Sequence, residues 1–421
     1  MTTVAQRSDY LGLLRRNKPF RQLWYGQIVS QLGDWFNAIA LFTLLLKLTG
    51  SGAAVGLLLV AEMLPATLVG PWAGVLVDRL PRRLVMVAAD VGRALLVLPL
   101  LLVRDANDIW IIYVCTVGKV VLAAFFEPAR SATIPMVTDA ADLVTANAIS
   151  GATWSAMLAI GAALGGLVAG TLGTTAAFII DACSFLLSAV IIVRIPIVET
   201  HLAARAARPR VAGGDMREGL TFLARHPQAL LYTSIKGLWS LGAGVLLVLT
   251  LLGRGVFPLG VDGALSIGLL YAARGLGAAI GPFLAQRVFG TTFPAMRSAI
   301  APAVALTGLG YVLASQAPTL WLAALAVMLA HLGGSTQWVF STVLLQLSVP
   351  DQLRGRVFAI ELALMTLATA ASSYTAGWLS DAGWGARDLA MLFGSIYLAP
   401  ALLLVVLLRR APLAVGAPTE G

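Results

Sequence analysis

Apolar residues in this chain run almost unbroken for about twenty positions at a time, and one such run follows another with only short polar breaks between them. A helix of ~20 apolar residues crosses the ~30 Å hydrocarbon core of a bilayer. The runs are continuous and show no alternation of period two, which excludes a membrane β-barrel. Twelve spans are predicted, at approximately 21–46, 53–77, 84–103, 108–129, 145–170, 174–193, 228–252, 263–287, 295–315, 319–345, 357–380 and 388–408. One polar interval is long. Residues 194–227 carry Arg194, Arg205, Arg208, Arg210, Arg217 and Arg225, with Pro209, Gly213 and Gly214. The expected organisation is therefore a six-helix unit over 1–193, a cytoplasmic linker over 194–227 and a second six-helix unit with a short tail over 228–421. The fold class is an all-α membrane protein.

Composition agrees with this reading. The chain is 59% hydrophobic and 12% charged, with a mean hydropathy of +0.87, against roughly 25% charged residues in soluble domains. The formal net charge of +9 comes from basic residues set between apolar runs. They are not gathered on one polar surface, so a nucleic-acid partner is not expected. Of the 29 basic residues, 21 fall in segments that lie on one side of the membrane when both termini are cytoplasmic. Lys47, Arg104, Arg254 and Arg387 fall on the other side, and Arg93, Lys119, Lys236 and Arg274 lie inside spans. That bias fixes the orientation by the positive-inside rule. Residues 1–19 read as a cytoplasmic arm and not as a cleaved leader. Cys115 and Cys183 both lie in apolar runs and imply no disulfide framework.

The polar residues inside the spans carry the chemistry. Gln27, Ser30, Gln31, Asp34 and Asn37 share one face of span one. Tyr113, Thr116 and Lys119 do so on span four, as do Tyr232, Thr233, Lys236, Trp239 and Ser240 on span seven. Span ten carries His331, Ser335, Trp338 and Thr342. Such stripes face protein or water and not lipid, either as cavity lining or as hydrogen bonds between helices. Asp34 is the sharpest position: a carboxylate at that depth costs at least ~2.5 kcal/mol unless it is paired or titrates. Two readings are open. It couples protons or balances a cationic substrate, or it forms a permanent ion pair with Lys119, Lys236 or Arg274. Asp90 and Arg93, three residues apart, can satisfy each other. Glu62 and Asp181 have no obvious partner and are further proton-coupling candidates. His331 either relays protons or is a packing histidine. Gly161, Gly165, Gly166 and Gly170 on span five, with Gly277 and Gly281 on span eight, allow close helix approach.

The turn after span two, Gly74-Val75-Leu76-Val77-Asp78-Arg79-Leu80-Pro81-Arg82-Arg83, has the pattern G-x-x-x-D-R-x-x-R-R. It resembles the loop between helices two and three of the major facilitator superfamily, with Pro81 where that family often has glycine. A degraded partner, Gly281 to Arg287, follows span eight, and the loops after spans four and ten match in position. Gly33-Asp34-Trp35, the segment Phe125 to Ala132 followed by Pro135, and Asp351-Gln352-Leu353-Arg354-Gly355-Arg356-Val357 resemble the enterobactin-exporter and macrolide-efflux branch of drug:proton antiporters. The resemblance covers spans one to eleven; Lys119 departs from it.

The resemblance implies two pseudo-symmetric halves, with helices one, four, seven and ten lining a central cavity. On that basis the cavity candidates are Gln27, Gln31, Asn37, Lys119, Tyr232, Lys236, Trp239, Arg274, His331 and Trp338. Gly74, Asp78, Arg79, Arg82, Arg83 and Glu127 would form a cytoplasmic latch. The span-five glycines resemble the antiporter motif of exporters, with Gly165-Gly166 in place of the usual Gly-Pro. Helices five and eight, and two and eleven, would form the contacts between the halves.

The expected function is export of small amphipathic molecules by proton antiport, from a monomer in the inner or plasma membrane. Export of a siderophore or lipid-like metabolite is the alternative, and a non-transporting scaffold or sensor is the reading from another class. No metal-ligand cluster, Walker loop or nucleophile–base pair is present in the sequence. No cofactor is expected, nor enzymatic activity.

Overall fold

The computed structural model describes residues 10–77, 79–139, 142–197 and 216–410. Asp78, the acid of the expected latch, and the linker arginines Arg205, Arg208 and Arg210 lie outside the described residues, as do the side chains of Asp351 and Gln352. Among the described residues twelve helices are long and apolar enough to cross a membrane. Spans one to six are Lys18–Thr49, Gly52–Val77, Arg82–Leu102, Ala106–Val137, Leu143–Thr171 and Thr174–Val193. Spans seven to twelve are Pro227–Val256, Ala264–Phe289, Phe293–Gln316, Leu320–Ser348, Asp351–Asp381 and Ala386–Leu408.

Helix ends follow local chemistry. Asn17 caps span one by accepting a bond from the Phe20 amide at 2.9 Å, and Gly50 closes it in the left-handed conformation. Thr292 and Thr319 cap spans nine and ten in the same way as Asn17. Span seven is not one rod. It breaks at Leu241–Gly244 and ends in a π-helical turn over Leu252–Val256. Ser372 of span eleven repairs the break: its hydroxyl donates to the Leu241 carbonyl at 2.7 Å and accepts from the Gly244 amide at 2.8 Å. Apolar periodicity alone reads such a segment as continuous.

Lipid offers no hydrophobic drive for helix association, so small residues and packing decide which spans touch. Within the first six spans, span one packs on five and six, three on four and six, and two on four. In the second six, spans nine and ten pack together, ten on eight, seven on eleven and nine on twelve. The two groups meet along two seams, span five against span eight and span two against span eleven.

The molecule has two unlike ends. We call the end carrying Lys18, Arg79 to Arg83 and residue 216 the basic end, and the other the far end. The far end is shut. Asp381, at the close of span eleven, accepts from the Ser51 hydroxyl and the Gly52 amide at 2.6 Å each, and from the Ala53 amide at 3.1 Å. A carboxylate on the free amides of a helix start is a favourable charge–dipole arrangement. Lys47 pairs with Asp262 at 3.0 Å. Glycines bring both seams close: a Cβ on Gly166 would meet Gly268, and one on Gly377 would meet Ala53. The Thr67 and Thr366 hydroxyls still touch at 2.9 Å, about one and a half turns past Glu62 toward the basic end. Beyond that the seams diverge. A Cβ at Gly70, Gly74, Gly151 or Gly355, all toward the basic end, would meet nothing.

Candidate functional site

A cavity of about 860 Å³ fills the space between the diverging helices. Its walls run from Phe42 and Leu246 toward the far end down to Ile134 and Asn147 at the basic end. The polar stripe of span one lies on it: Gln27, Gln31, Asp34 and Asn37 all line the wall. Span two adds Glu62, span three Arg93, span four Thr116, Lys119, Glu127 and Arg130, and span five Asn147 and Ser150. Among the described residues of the second half, Leu246, Tyr271 and Arg274 line it.

Five charges form one cluster on the first-half side. The Asp34 carboxylate lies 3.7 Å from Arg93 Nη1 and 3.6 Å from Lys119 Nζ, and its side chain is 41% exposed to the cavity. Both cations are already engaged behind it. Arg93 bonds to the fully buried Asp90, three residues earlier on its own helix, and its guanidinium sits over the rings of Phe126 and Phe185. Lys119 Nζ donates to Asp181 Oδ2 at 3.0 Å, and Asp181 is fully buried. Three carboxylates therefore share two cations. The shorter contacts go to the buried acids, so the unbalanced charge falls on Asp34, the acid that water reaches. Of the three partners weighed for Asp34, Lys119 is the one beside it, joined by Arg93. Lys119 is also the partner of Asp181, which had none in the sequence.

At the basic end of the cavity Arg130 Nη2 pairs with Glu127 at 2.9 Å, and Arg130 Nη1 donates to Gln27 Oε1 at 3.1 Å. Gln27 Nε2 donates on to the Ser150 carbonyl at 3.1 Å. Spans one, four and five are thus tied by hydrogen bonds. Arg130 reads in the sequence as one more topology-setting arginine. Its spacing of three from Glu127 was the available signal for a pair.

Spans seven and ten do not contribute as expected. Tyr232, Lys236, Trp239, His331 and Trp338 are not among the residues that line this cavity; Tyr232, Lys236 and His331 are buried in the second half, and Trp338 is 40% exposed. Lys236 Nζ is bonded to Glu361 Oε2 at 3.0 Å and to the Thr342 hydroxyl at 2.8 Å, and lies 4.6 Å from the Trp338 ring centre. Lys236 and Glu361 are 5% and 3% exposed. Glu361 on span eleven was not recognised in the sequence as an intramembrane charge. The His331 ring and the Tyr311 hydroxyl are hydrogen-bonded at 2.8 Å, so the buried His331 has a partner within the second half. Trp239 packs on Trp338 and Tyr397, and Tyr232 accepts from Gln228. The span-seven residues lie on the continuous helix Pro227–Ser240, ahead of the break, and the partners of Lys236 place that face against spans ten and eleven.

Of the expected latch, Arg82 Nη1 donates to the Ala132 carbonyl at 2.8 Å and Arg83 Nη1 to the Ile195 carbonyl at 3.3 Å. Glu127 is held by Arg130 of its own helix. Arg79 closes the turn after span two through its amide, bonded to the Leu76 carbonyl. The glycines of span five act in packing. Gly161 and Gly165 accommodate Trp35 and the span-one backbone, and Gly166 and Gly170 meet span eight.

The sequence model of the Major Facilitator Superfamily matches residues 23–361, and the chain belongs to this family of membrane transporters. It is 28% identical to the uncharacterized MFS-type transporter YfiS of Bacillus subtilis, over 90% of each chain. It is 27% identical to macrolide efflux protein A of Streptococcus pyogenes, over 42% of this chain and 45% of that protein. It is also 27% identical to the multidrug efflux pump Tap of Mycobacterium bovis, over 47% and 49% respectively. Among solved structures the nucleoside transporter NupG superposes with a TM-score of 0.73 at 11% identity, over 94% of this chain and all of that one. A POT family peptide transporter gives 0.71 at 13% identity, over 95% and 98%. At these identities the structural likeness speaks for the fold. The protein is thus a multi-pass membrane transporter with a small-molecule substrate.

Proposed function

We propose that this transporter exports small amphipathic molecules by proton antiport. The observation that carries the reading is the unbalanced cluster: three carboxylates to two cations, with the excess on cavity-exposed Asp34. An excess negative charge at mid-membrane is expensive. A proton neutralises it, and so does a cationic substrate, and competition between the two is what antiport requires. Two of the relatives with named activities are efflux proteins. The acid excess suits an exchange of charge better than it suits a scaffold.

By the positive-inside bias the basic end is cytoplasmic, both termini with it, in the inner or plasma membrane. The described state then faces inward: substrate enters from the cytoplasm while Asp381 and the glycine seams hold the far end shut. The units 1–193 and 228–421 rock about the cavity, with 194–227 as connector, and the cavity lies within a single chain that works as a monomer. In the outward-facing state the turn at Gly74 to Arg83 closes on the start of span eleven. In that state Asp78 would meet a partly positive helix N-terminus.

The test is dye efflux from energised inside-out vesicles. Asp34→Asn fixes the neutral form and abolishes proton-driven efflux while downhill exchange of substrate persists. Efflux by Asp34→Asn with wild-type dependence on pH would move coupling to Glu62 or Asp181.

A further inference from the structure

Glu62 and Arg274 are the cavity charges left over once the ion pairs are assigned. Asp34, Arg93, Lys119, Glu127 and Arg130 each have an oppositely charged partner within 4 Å. Among the described residues Glu62 and Arg274 line the same cavity with none, and Arg274 Nε is buried without an acceptor. The charges in electrostatic reach of Glu62 are Lys119, Asp34 and Arg274.

The two residues stand at the same depth on opposite halves. Glu62 lies ten residues from the far-end start of span two and Arg274 ten residues from that of span eight. At 1.5 Å rise per residue that is about 15 Å, the middle of a ~30 Å core. Aromatic rings line the cavity beside Arg274: Tyr271 stacks on Phe42 at 5.7 Å, Trp35 packs on Tyr271 at 6.0 Å, and the Arg274 guanidinium lies 5.7 Å from the Tyr271 ring centre. A desolvated charge without a partner is costly, and a bound partner offsets the cost. A cation satisfies Glu62 and leaves Arg274 bare, whereas an anion does the reverse. A molecule with both groups on an apolar body satisfies both.

We infer that the cavity is built for amphipathic zwitterions. Arg274 takes the carboxylate, the geometry its planar donors match, and Glu62 takes the ammonium. Such a ligand bridges the two halves at the point about which they move. This inference rests on the transport reading above and names its substrate class.

The experiment is equilibrium dialysis of the purified full chain in detergent with three probes. Ciprofloxacin carries a carboxylate and a piperazinium, ethidium a positive charge only, and carboxyfluorescein negative charges only. Wild type is expected to bind ciprofloxacin about tenfold tighter than either other probe, the worth of one charge-assisted hydrogen bond. Arg274→Ala should weaken ciprofloxacin binding about tenfold and leave ethidium within about twofold, since only the carboxylate loses its partner. Arg274→Lys should restore part of the loss and so separates charge recognition from a folding defect. Glu62→Gln should weaken ciprofloxacin and ethidium and spare carboxyfluorescein. Equal losses for all three probes, or no preference for ciprofloxacin in wild type, would overturn the inference and make the two residues a gating pair. Binding is read without a proton gradient, so its result is distinct from loss of energised efflux, which bears on the export reading alone.

Discussion

The two halves of this transporter each bury charge near the membrane centre, and they do so in opposite ways. In the first half three carboxylates share two cations and the excess acid, Asp34, faces the cavity. In the second half one lysine meets one glutamate, both almost fully buried, beside Trp338. The balanced, sealed pair has nothing to exchange. It can hold spans seven and eleven together, and its cost is removed only by keeping both partners. The unbalanced, wetted cluster leaves one carboxylate facing the cavity, and under the proposed antiport that is where a proton or a cationic group would be taken up. The two sites differ in exposure and charge balance, and the proposed coupling role for Asp34 rests on that difference.

The comparison breaks most visibly at Asp34. Asp34→Asn should remove proton-driven efflux and spare downhill exchange, whereas Glu361→Gln should leave the pH dependence of efflux unchanged. If Glu361→Gln abolishes coupling and Asp34→Asn does not, the roles of the two halves are reversed.

Stability should show the opposite ranking. Lys236→Ala strands a buried carboxylate, and breaking such a pair costs about 3–5 kcal/mol. Thermal unfolding in detergent should reveal that loss, and Lys236→Met combined with Glu361→Leu should recover most of it. An undiminished melting temperature for Lys236→Ala would show that water reaches the pair.

Sequence patterning carried most of the fold and half of the site, for identifiable reasons. The spans were legible because a bilayer demands long apolar runs whatever the packing. The stripe of span one pointed to the cavity because that helix is continuous, so its period placed Gln27, Gln31, Asp34 and Asn37 on one wall. The stripe of span seven did not: its residues share a face of the continuous helix Pro227–Ser240, but periodicity shows only that a face is polar and not that it meets spans ten and eleven. Lys236 was visible as a charge, but its partner Glu361 is 125 residues away on another helix. The sharing of Lys119 between Asp34 and Asp181 is likewise a property of packing among spans one, four and six. Arg130 was hidden by its place near a predicted span end, where arginine ordinarily sets topology.

A smaller effect is expected at the far end. Asp381→Ala removes a carboxylate from the amides that open span two, worth about 1 kcal/mol for a helix cap, so outward-facing molecules should rise roughly fivefold. Spin-label distances across the span two and span eleven ends would report the shift. An unchanged distribution would mean that the glycine seams alone hold the far end shut.

The smallest effect belongs to Glu127. Its side chain is 51% exposed, and exposed pairs contribute about 1 kcal/mol or less. Glu127→Gln should therefore barely move the melting temperature. A loss as large as that of Lys236→Ala would show that the Glu127–Arg130 pair holds the fold as the sealed pair does.

Proton release on binding tests the central claim most directly. Purified transporter in weakly buffered detergent solution is mixed with a cationic substrate such as ethidium, and the pH is followed. If Asp34 holds the proton that substrate displaces, wild type acidifies the solution, with a stoichiometry set by the fraction protonated, and Asp34→Asn binds ethidium without any release. Equal release from wild type and Asp34→Asn would contradict the assignment of coupling to the unbalanced cluster at Asp34.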